Sequence, residues 1–428
     1  MFMNTHIYRI RLKGFAFITC QLLLTMVLTS CMDMDDTTPP VKATIQLVKP
    51  ADFTGNVSLA GYTVTLKSSL ETITATSDAE GRIFLADLAP NTYDISLAAD
   101  ITHSQYEEYT GQVVGGNMDF TMTGTLNQQV LNSDGTIHLP LTVFPKESII
   151  ISKVYPSYSK IDGGTFQIGK YLELYNNSDK AVDAAGLYIG LLDSDNPVPF
   201  KVYPYSEANT PGKLHAKQVF RIPADEPVMV EPGQTLLIVN SAFDYSSRNA
   251  FESDLTGADY EAKNLEPKDP TPNNTEVKAL KLVYTAYTGN SNITNMNLSQ
   301  GGPTSLVIFR TNEDVEQDWK RVYPWGKTTG RLFLEIPVSC VLDGVEILKH
   351  SIRFEAGADI NTKRLFQEVD AGFTFVNSAS GNAGEKLVRR TLSTTSDGRR
   401  ILKDTNNSTN DFICTTSVKP REYKDSYE

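Results

Sequence analysis

Residues 170–190, KYLELYNNSDKAVDAAGLYIG, contain two short apolar runs separated by a polar turn. In the first run, residues 171–175, leucines alternate with tyrosines and a glutamate, which is typical of a strand with one buried face. Residues 176–179, NNSD, favour a turn because such side chains bond the nearby backbone. The apolar run resumes at residues 184–189. The stretch therefore predicts two strands of a β-sandwich rather than a catalytic loop.

The composition of the 428-residue chain favours strands and turns over helical bundles. It holds 19 Tyr, 19 Phe, 28 Gly and 21 Pro, and its length suits two or three β domains. The net charge is −12, and residues 1–30 contain three basic residues and no acid, so the chain without them is more acidic still. We expect an all-β fold of sandwich domains and no nucleic acid partner.

The first thirty residues have the pattern of a targeting signal. Arg9, Arg11 and Lys13 precede an apolar run at residues 15–27 that is too short for an ordinary membrane-spanning helix. Residues 28–31, LTSC, resemble the lipobox of bacterial lipoproteins. That resemblance implies that residues 1–30 are a signal peptide removed before Cys31, and that the Cys31 sulfur carries a diacylglyceryl group anchoring the protein in the outer membrane.

Residues 31–40 form an acidic segment ahead of the first predicted strand. Asp33, Asp35 and Asp36 lie directly after the cysteine and resemble the export signal of Bacteroidetes lipoproteins that face the cell exterior. The alternative is that the acids only keep a flexible tether solvated. Asp36-Thr37-Thr38 also resembles the O-glycosylation sequon of such organisms, which marks Thr37 as a candidate modification site.

Residues 41–146 are predicted to form the first folded domain. Alternating runs recur every eight to twelve residues, separated by the turns DAEG and PN. The run from Thr74 to Ile95 resembles the carboxypeptidase regulatory-like domain, a transthyretin-type sandwich. The resemblance implies that Phe84 and Leu88 fill the core, that Tyr93 packs at the sandwich edge, and that the domain is a spacer without catalytic residues.

Residues 147–428 are predicted to form a larger sandwich with long insertions. Residues 149–155, IIISKVY, are typical of a strand covered on both faces. In residues 228–240 a Pro-Gly pair between apolar runs favours a type II turn. Together with residues 170–190, these features resemble the lamin-tail-like, immunoglobulin-type fold. Residues 244–278 are polar and contain three prolines, so we expect a long surface loop that either contacts a ligand or is a variable decoration.

Two small groups of residues in this domain leave alternatives open. Trp319, Tyr323 and Trp325 could form an aromatic ligand platform, although a tryptophan in a sandwich is more often core, which we favour. Cys340 and Cys414 would be the only thiols left after signal cleavage and lipidation. They could form a disulfide in an oxidising envelope, or be two buried small hydrophobic residues.

The closing segment 404–412, DTNNSTNDF, combines many side-chain oxygens. Such oxygens suit Ca²⁺, but the spacing lacks the glycine and the final glutamate of a helix–loop–helix site, so we favour a turn that bonds its own backbone and expect no metal. With residues 341–346, VLDGVE, this segment resembles a family of uncharacterised Bacteroidetes lipoproteins. The resemblance implies a regulatory-like sandwich followed by a lamin-tail-like one.

No catalytic motif is evident in the sequence. The five histidines are scattered, the HExxH, GxSxG and phosphate-loop patterns are absent, and no pair of carboxylates is singled out. We therefore expect no enzyme activity and no cofactor. The favoured hypothesis is a surface-exposed binding or accessory lipoprotein beside a TonB-dependent transporter for a nutrient, with metal as one candidate, as the family resemblance implies. The alternative is a cell-surface hydrolase of glycan or peptide, which many acids and the long insertion would allow.

Overall fold

The computed structural model describes residues 39–55, 57–113, 119–146, 148–192, 211–268, 271–288, 293–298, 304–323, 328–348, 363–378 and 381–427. The first part of the chain contains β1 (Val41–Val48), β2 (Thr63–Lys67), β3 (Thr72–Thr76), β4 (Arg82–Leu88), β5 (Asn91–Ile101), α1 (His103–Thr110), β6 (Phe120–Leu131), β7 (Gly135–Pro140) and β8 (Thr142–Pro145). These elements form a first sandwich.

The second part contains strands β9 to β28 and one short helix. They are β9 (Ile149–Tyr155), β10 (Ser159–Ile161), β11 (Gly164–Phe166), β12 (Tyr171–Asn176), β13 (Val182–Asp183), β14 (Tyr188–Leu192), β15 (Lys213–Arg221), β16 (Met229–Val230), β17 (Thr235–Val239), β18 (Tyr260–Glu261), β19 (Lys278–Ala279), β20 (Lys281–Thr285), β21 (Leu306–Phe309), β22 (Arg321–Val322), β23 (Phe333–Pro337), β24 (Val341–Val345), β25 (Lys386–Arg389), β26 (Thr391–Thr394), β27 (Arg400–Leu402), α2 (Ser408–Asp411) and β28 (Phe412–Thr415). The protein is thus all-β, as predicted. Within the described ranges no helix is long and apolar enough to cross a membrane.

The first sandwich consists of two sheets around one core. One sheet has the order β4-β1-β7 and the other the order β3-β2-β5-β6-β8. Alternate residues of β1 and β2 are buried, so each strand contributes one face to the core. The buried members of this core run from Val41 to Leu141. The core is therefore built from this part of the chain alone.

Helix α1 closes one end of this core. The Thr102 hydroxyl accepts a hydrogen bond from the Gln105 amide while the Gln105 side chain accepts one from the Thr102 amide, which is a capping box, and Gly111 ends the helix with φ 69°. The Tyr106 ring stacks on Phe120 with 3.8 Å between centroids. The helix is thereby fixed over β6.

One core assignment from the sequence is wrong. Phe84 is 66% exposed, because in β4 the inward position is taken by Ile83, and successive side chains of a strand point to opposite faces. The Arg82 guanidinium lies 5.5 Å from the centroid of the exposed ring. Leu88 is buried as predicted. Tyr93 is also fully buried, with its hydroxyl donating to Glu71 Oε1 at 2.7 Å.

The second sandwich has two larger sheets. One has the order β19-β18-β17-β12-β9-β25-β28, and the other has the order β22-β23-β15-β14-β21-β24, with β20 also paired to β15. The main apolar cluster joins both sheets, for example Ile151 and Leu172 from the first with Ile189 and Ile308 from the second. Residues 170–190 thus cross from one sheet, through β12, to the other, through β14.

Strand β12 departs from the predicted half-buried pattern, because all six of its residues are buried. The outer face is covered by the closing residues of the chain. Glu173 forms an ion pair with Lys153 at 3.1 Å and accepts hydrogen bonds from the Arg421 amide at 2.7 Å and the Tyr423 hydroxyl at 2.8 Å. Alternation in the sequence therefore assigned the residues of β12 to its two faces correctly. It did not indicate that the second face is also covered.

Of two loops predicted in this sandwich, one forms as predicted and the other differs from the prediction. The Pro-Gly turn before β17 forms as predicted, with Gly233 at φ 78° and the Gln234 amide donating to Glu231 O at 2.9 Å. The insertion at residues 244–278 is more than a surface loop, since β18 and β19 extend the first sheet. Glu261 is fully buried and accepts from the Ala242 amide at 2.7 Å. The insertion therefore contributes two strands and buried residues to the second sandwich.

Candidate functional site

A groove lies where the two sandwiches meet. It consists of two adjoining cavities of about 370 Å³ and 390 Å³. Both are lined by Thr65, Ser96, Thr125 and Asn410, so they adjoin at these residues. Ligand sites occur preferentially at domain interfaces. We call this feature the interdomain groove.

The first wall of the groove is the outer face of β2, β5 and β6. In the ladder Thr65 is paired with Ser96, and Ser96 is paired with Thr125, which sets three hydroxyl-bearing residues side by side across three strands. The neighbouring residues Val64 and Leu97 point inward and are buried. The alternation that fills the core of the first sandwich therefore also produces the polar wall.

The second wall is residues 403–410 of the second sandwich. The Asn407 side chain accepts from the Thr409 amide at 3.1 Å and so caps helix α2. Its amide group donates to Thr125 Oγ1 at 3.3 Å across the groove. Asn127 likewise donates to Ala371 O at 3.0 Å. These contacts hold the two walls together between the cavities.

Arg389 supports the second wall from beneath. Its buried guanidinium donates to Asp343 and Asp404, each at 2.8 Å, and lies 3.5 Å from Asp411. Burial raises the pKa of Asp343 to about 7 and that of Asp411 to about 6, even though the arginine opposes both shifts. Burial disfavours the charge on Arg389, but the surrounding carboxylates raise its pKa above the usual value. Asp404 links this cluster directly to the groove.

The oxygen-rich closing segment is engaged by donors of the protein itself. Asp411 accepts from the amide and the hydroxyl of Thr405, both at 2.7 Å. Asp370 accepts from the Ser408 amide at 2.8 Å and from the Gly372 amide at 2.9 Å. These contacts correspond to the turn interpretation. Within the described ranges no group of three or more His, Cys, Asp or Glu side chains is arranged to hold a metal ion.

Several polar groups in the groove remain available to a ligand, four of which are central to it. The side chains of Thr65, Ser96, Lys403 and Asn410 line it and make no hydrogen bond or ion pair with the described residues. The carboxylates of the groove are already engaged: Asp100 pairs with Lys146 at 3.1 Å, and Asp94 accepts from the Gln128 amide at 2.8 Å. The arrangement can therefore donate to and accept from a polar molecule placed between the walls.

The described site residues that the sequence predicted, Trp319, Tyr323, Cys340 and Cys414, do not line the groove. Cys31, Asp33, Asp35, Asp36, Thr37 and Trp325 fall outside the described residues. Trp319 is 5% exposed, stacks on Phe309 at 5.4 Å between centroids, and donates from Nε1 to Glu313 at 2.5 Å. It belongs to the core, as we favoured, while Tyr323 is 40% exposed. The two do not form a shared platform with the groove.

The two cysteines are not joined by a disulfide. Cys340 packs against a cluster that contains Trp319, whereas Cys414 packs against the main cluster between the two large sheets. Each therefore has the role of a small, partly buried apolar side chain, the second of the two interpretations. Their separation into different clusters explains why no bridge forms.

The sequence analysis did not predict the groove residues of the first wall. An alternating pattern is present in residues 63–67, TVTLK, where Thr63, Thr65 and Lys67 alternate with buried residues. An outward threonine is common in any strand, so only the docking of residues 403–410 onto this face distinguishes it. For the second wall, Asp404 and Asn410 were predicted to lie in a turn, but not to line a groove.

The overall fold is similar to that of a protein of known structure. A family model described as a protein of unknown function, DUF4876, matches residues 231–419. The fold is similar to that of a DUF4876 family protein from Bacteroides thetaiotaomicron, with a TM-score of 0.54 and 18% identity over 90% of this chain and 98% of that chain. The similarity agrees with the resemblance to a Bacteroidetes family, while the pairing of a regulatory-like with a lamin-tail-like domain stays a prediction.

Two further structures are much less similar. One is a provisionally described carbohydrate binding protein from Bacteroides uniformis, at 13% identity over 72% of this chain and 99% of that chain. The other is a provisionally described adhesin from Bacteroides ovatus, at 9% identity over 73% and 90%. Both have a TM-score of 0.17, which carries no inference about this chain. No curated protein matches the chain.

Proposed function

We propose that this protein is a lipid-anchored binding or accessory protein on the outer face of the outer membrane. In this proposal the interdomain groove binds a ligand and presents it to a TonB-dependent transporter. The observation that carries the proposal is the groove itself, with Thr65, Ser96, Lys403 and Asn410 left available between two rigid walls. Groups positioned on strands and by buried contacts are suited to binding, because little order must be gained when a ligand arrives.

The charged groups of the groove favour binding over hydrolysis. A hydrolase of glycan or peptide would need a carboxyl group able to exchange a proton with its substrate. Asp404 is bonded to Arg389 at 2.8 Å, and Asp100 is paired with Lys146 at 3.1 Å. Asp404 is therefore committed to a structural partner, whereas Asp100 is 67% exposed and its ion pair is a weak surface contact. The engagement of Asp404 supports a binding role without turnover.

The proposed anchor rests on the LTSC segment that ends at Cys31. A diacylglyceryl group with a further acyl chain buries dozens of methylenes at about 0.8 kcal/mol each, so attachment is effectively permanent. Asp33, Asp35 and Asp36 would direct the protein outward. Membrane display would keep the groove close to a transporter in the same membrane.

The test is capture of the native protein from detergent-solubilised outer membranes, with Cys31→Ser as the matched control. We expect a transporter barrel in the wild-type eluate and none with Cys31→Ser, because the control loses the acylated cysteine and does not reach the outer membrane. Mass spectrometry of the N-terminus checks the lipid directly. A wild-type protein recovered unlipidated would contradict the anchor, and turnover of a glycan or peptide substrate would contradict the binding role.

The direction of display is tested in intact cells. Replacing Asp33, Asp35 and Asp36 with Ala should convert a protein cleaved by added protease into one that is protected. Equal cleavage of wild type and variant would mean that the acids only solvate the tether.

A further inference from the structure

We infer that the ligand of the interdomain groove is a neutral polyhydroxylated chain, an oligosaccharide, held by side chains alone. The inference rests on the binding function proposed above and assigns its ligand class. The juxtaposition that carries it is the cross-strand pair Thr65 and Ser96, whose hydroxyl groups have no partner among the described residues, opposite Asn410.

The first step is the geometry of the hydroxyl groups. Neighbouring strands are about 4.8 Å apart, and residues on one face of a strand repeat about every 6.8 Å. Thr65 and Ser96 lie side by side on β2 and β5, and Thr63 and Thr121 line the groove further along β2 and β6. Thr125 ends the row on β6, where it is buried and accepts from Asn407. Free hydroxyl groups therefore occur on all three strands of this wall. A ligand that carries hydroxyl groups at each repeating unit matches such an array, because every hydroxyl both donates and accepts.

The second step is the charge of the lining. Lys403 lies in one cavity and Lys67 in the other, so the groove has no cluster of cations that would hold a phosphorylated or sulfated chain. The carboxylates Asp94, Asp100 and Asp404 already have partners in the protein. With one lysine in each cavity, a densely charged chain would find too few cations to offset its lost hydration, whereas a neutral chain loses less hydration on binding.

The third step excludes a peptide strand. A peptide bound by strand addition requires a free sheet edge with unpaired backbone groups. The groove lies over the face of the sheet, where β2 is paired with β3 and β5. Strand β6 is paired with β5, but with β8 only at residues 120–123. Beyond them the Thr125 carbonyl accepts from the Gln367 side chain and the Asn127 carbonyl from the Gln129 side chain, both at 3.2 Å, so these edge carbonyls already have partners. Recognition there depends on side-chain hydroxyl and amide groups, which suits a glycan better than a polypeptide.

The fourth step is the length of the site. The two cavities have volumes of about 370 Å³ and 390 Å³ and share four lining residues. A ligand held at the shared residues contacts both. Among the described residues no aromatic ring lines either cavity, so binding would come from several hydrogen bonds rather than from stacking.

The experiment uses the full-length protein in detergent on an array of neutral oligosaccharides, acidic oligosaccharides containing uronic acid, and peptides. Thr65→Val and Ser96→Ala each remove one hydroxyl with little change in volume. The matched control is Thr44→Val, a half-buried threonine on β1 in the opposite sheet. Thermal unfolding of each variant verifies that the fold is kept.

We expect a neutral oligosaccharide to be retained by wild type and by Thr44→Val. Each groove variant should weaken that binding about three- to tenfold, the usual effect of one lost hydrogen bond. Retention of no neutral glycan, retention of peptides alone, or equal affinity in wild type and both groove variants would overturn the inference. Binding confined to uronic acid chains and lost in Lys403→Gln would overturn the neutrality of the ligand.

The outcome is separable from the test of the proposed function. If a transporter is captured and no glycan binds, the assigned ligand class is wrong and the accessory role stands. If an oligosaccharide binds and no transporter is captured, the ligand class stands and the partner is wrong.

Discussion

The Arg389 cluster and the interdomain groove are adjacent polar regions that differ in how far their polar groups are hydrogen-bonded within the protein. Around Arg389, the buried carboxylates of Asp343 and Asp411 and the partly buried carboxylate of Asp404 lie within 3.5 Å of its guanidinium, and the Thr405 amide also donates to Asp411. In the groove, Thr65, Ser96 and Asn410 make no side-chain hydrogen bond with the described residues although all three are partly buried. Polar groups that a fold needs are satisfied internally, whereas groups left available beside them are candidates for binding.

The largest expected effect comes from breaking the buried cluster. Arg389→Ala would leave Asp343 and Asp411 buried without their cation, at a cost of about 3–5 kcal/mol in the free energy of unfolding. Urea denaturation measures this. The matched control is Arg390→Ala, since the next residue along the chain is exposed and its loss should cost less than about 0.5 kcal/mol. Equal losses in the two variants would mean that the cluster does not support the wall.

A smaller effect is expected from pH. Burial raises the pKa of Asp411 to about 6, so the folded protein holds this proton more tightly than the unfolded chain. The resulting stabilisation is fully present below the unfolded pKa of 3.8 and is lost as the pH rises through about 6.

The matched variant for the pH measurement is Asp411→Asn, which removes this titration. Between pH 4 and pH 7 the free energy of unfolding of wild type, minus that of the variant, should decline by about 1–3 kcal/mol. Taking the difference cancels groups with the opposite sign, such as His215, whose pKa is lowered by burial. A difference that is flat or rises with pH would contradict the assignment.

The smallest effect on stability is expected in the groove. Thr65→Val should change the free energy of unfolding by less than about 0.5 kcal/mol, because its hydroxyl has no partner in the described part of the chain. Thr405→Val should cost about 1–3 kcal/mol, because it leaves Asp411 short of a donor. Thr405 Oγ1 donates to that carboxylate at 2.7 Å. If Thr65→Val cost as much as Thr405→Val, the distinction between the two regions would fail.

The sequence predicted the class of fold because alternation and turns are local signals. Residues 170–190, the Pro-Gly turn at Gly233 and the strand at β9 all form where the pattern indicated. The resemblance to the carboxypeptidase regulatory-like domain misassigned Phe84 to the core, since the register that points Ile83 inward is set by pairing with β1. Local patterns also did not indicate that residues 421 and 423 cover Glu173.

Only part of the candidate site could be predicted from local sequence patterns. The turn at residues 404–412 could be predicted because its side chains bond within a few positions. The groove could not, because its walls meet through contacts such as Asn407 with Thr125, which are 282 positions apart. Single-sequence patterns carry no information on which outward face of one sandwich another will cover.

The arrangement of β1 has a mechanical consequence for a protein held by its N-terminal side. Strand β1 begins at Val41, directly after the proposed tether, and is paired on one side with β4 and on the other with β7. Tension on the tether would pull β1 along its own axis, and its ladder hydrogen bonds lie across that axis. Under such tension the hydrogen bonds of β1 would have to break together instead of one by one. The strand that bears the force is thus the central strand of its sheet. This arrangement would keep the first sandwich folded while a ligand bound in the groove exerts a pulling force.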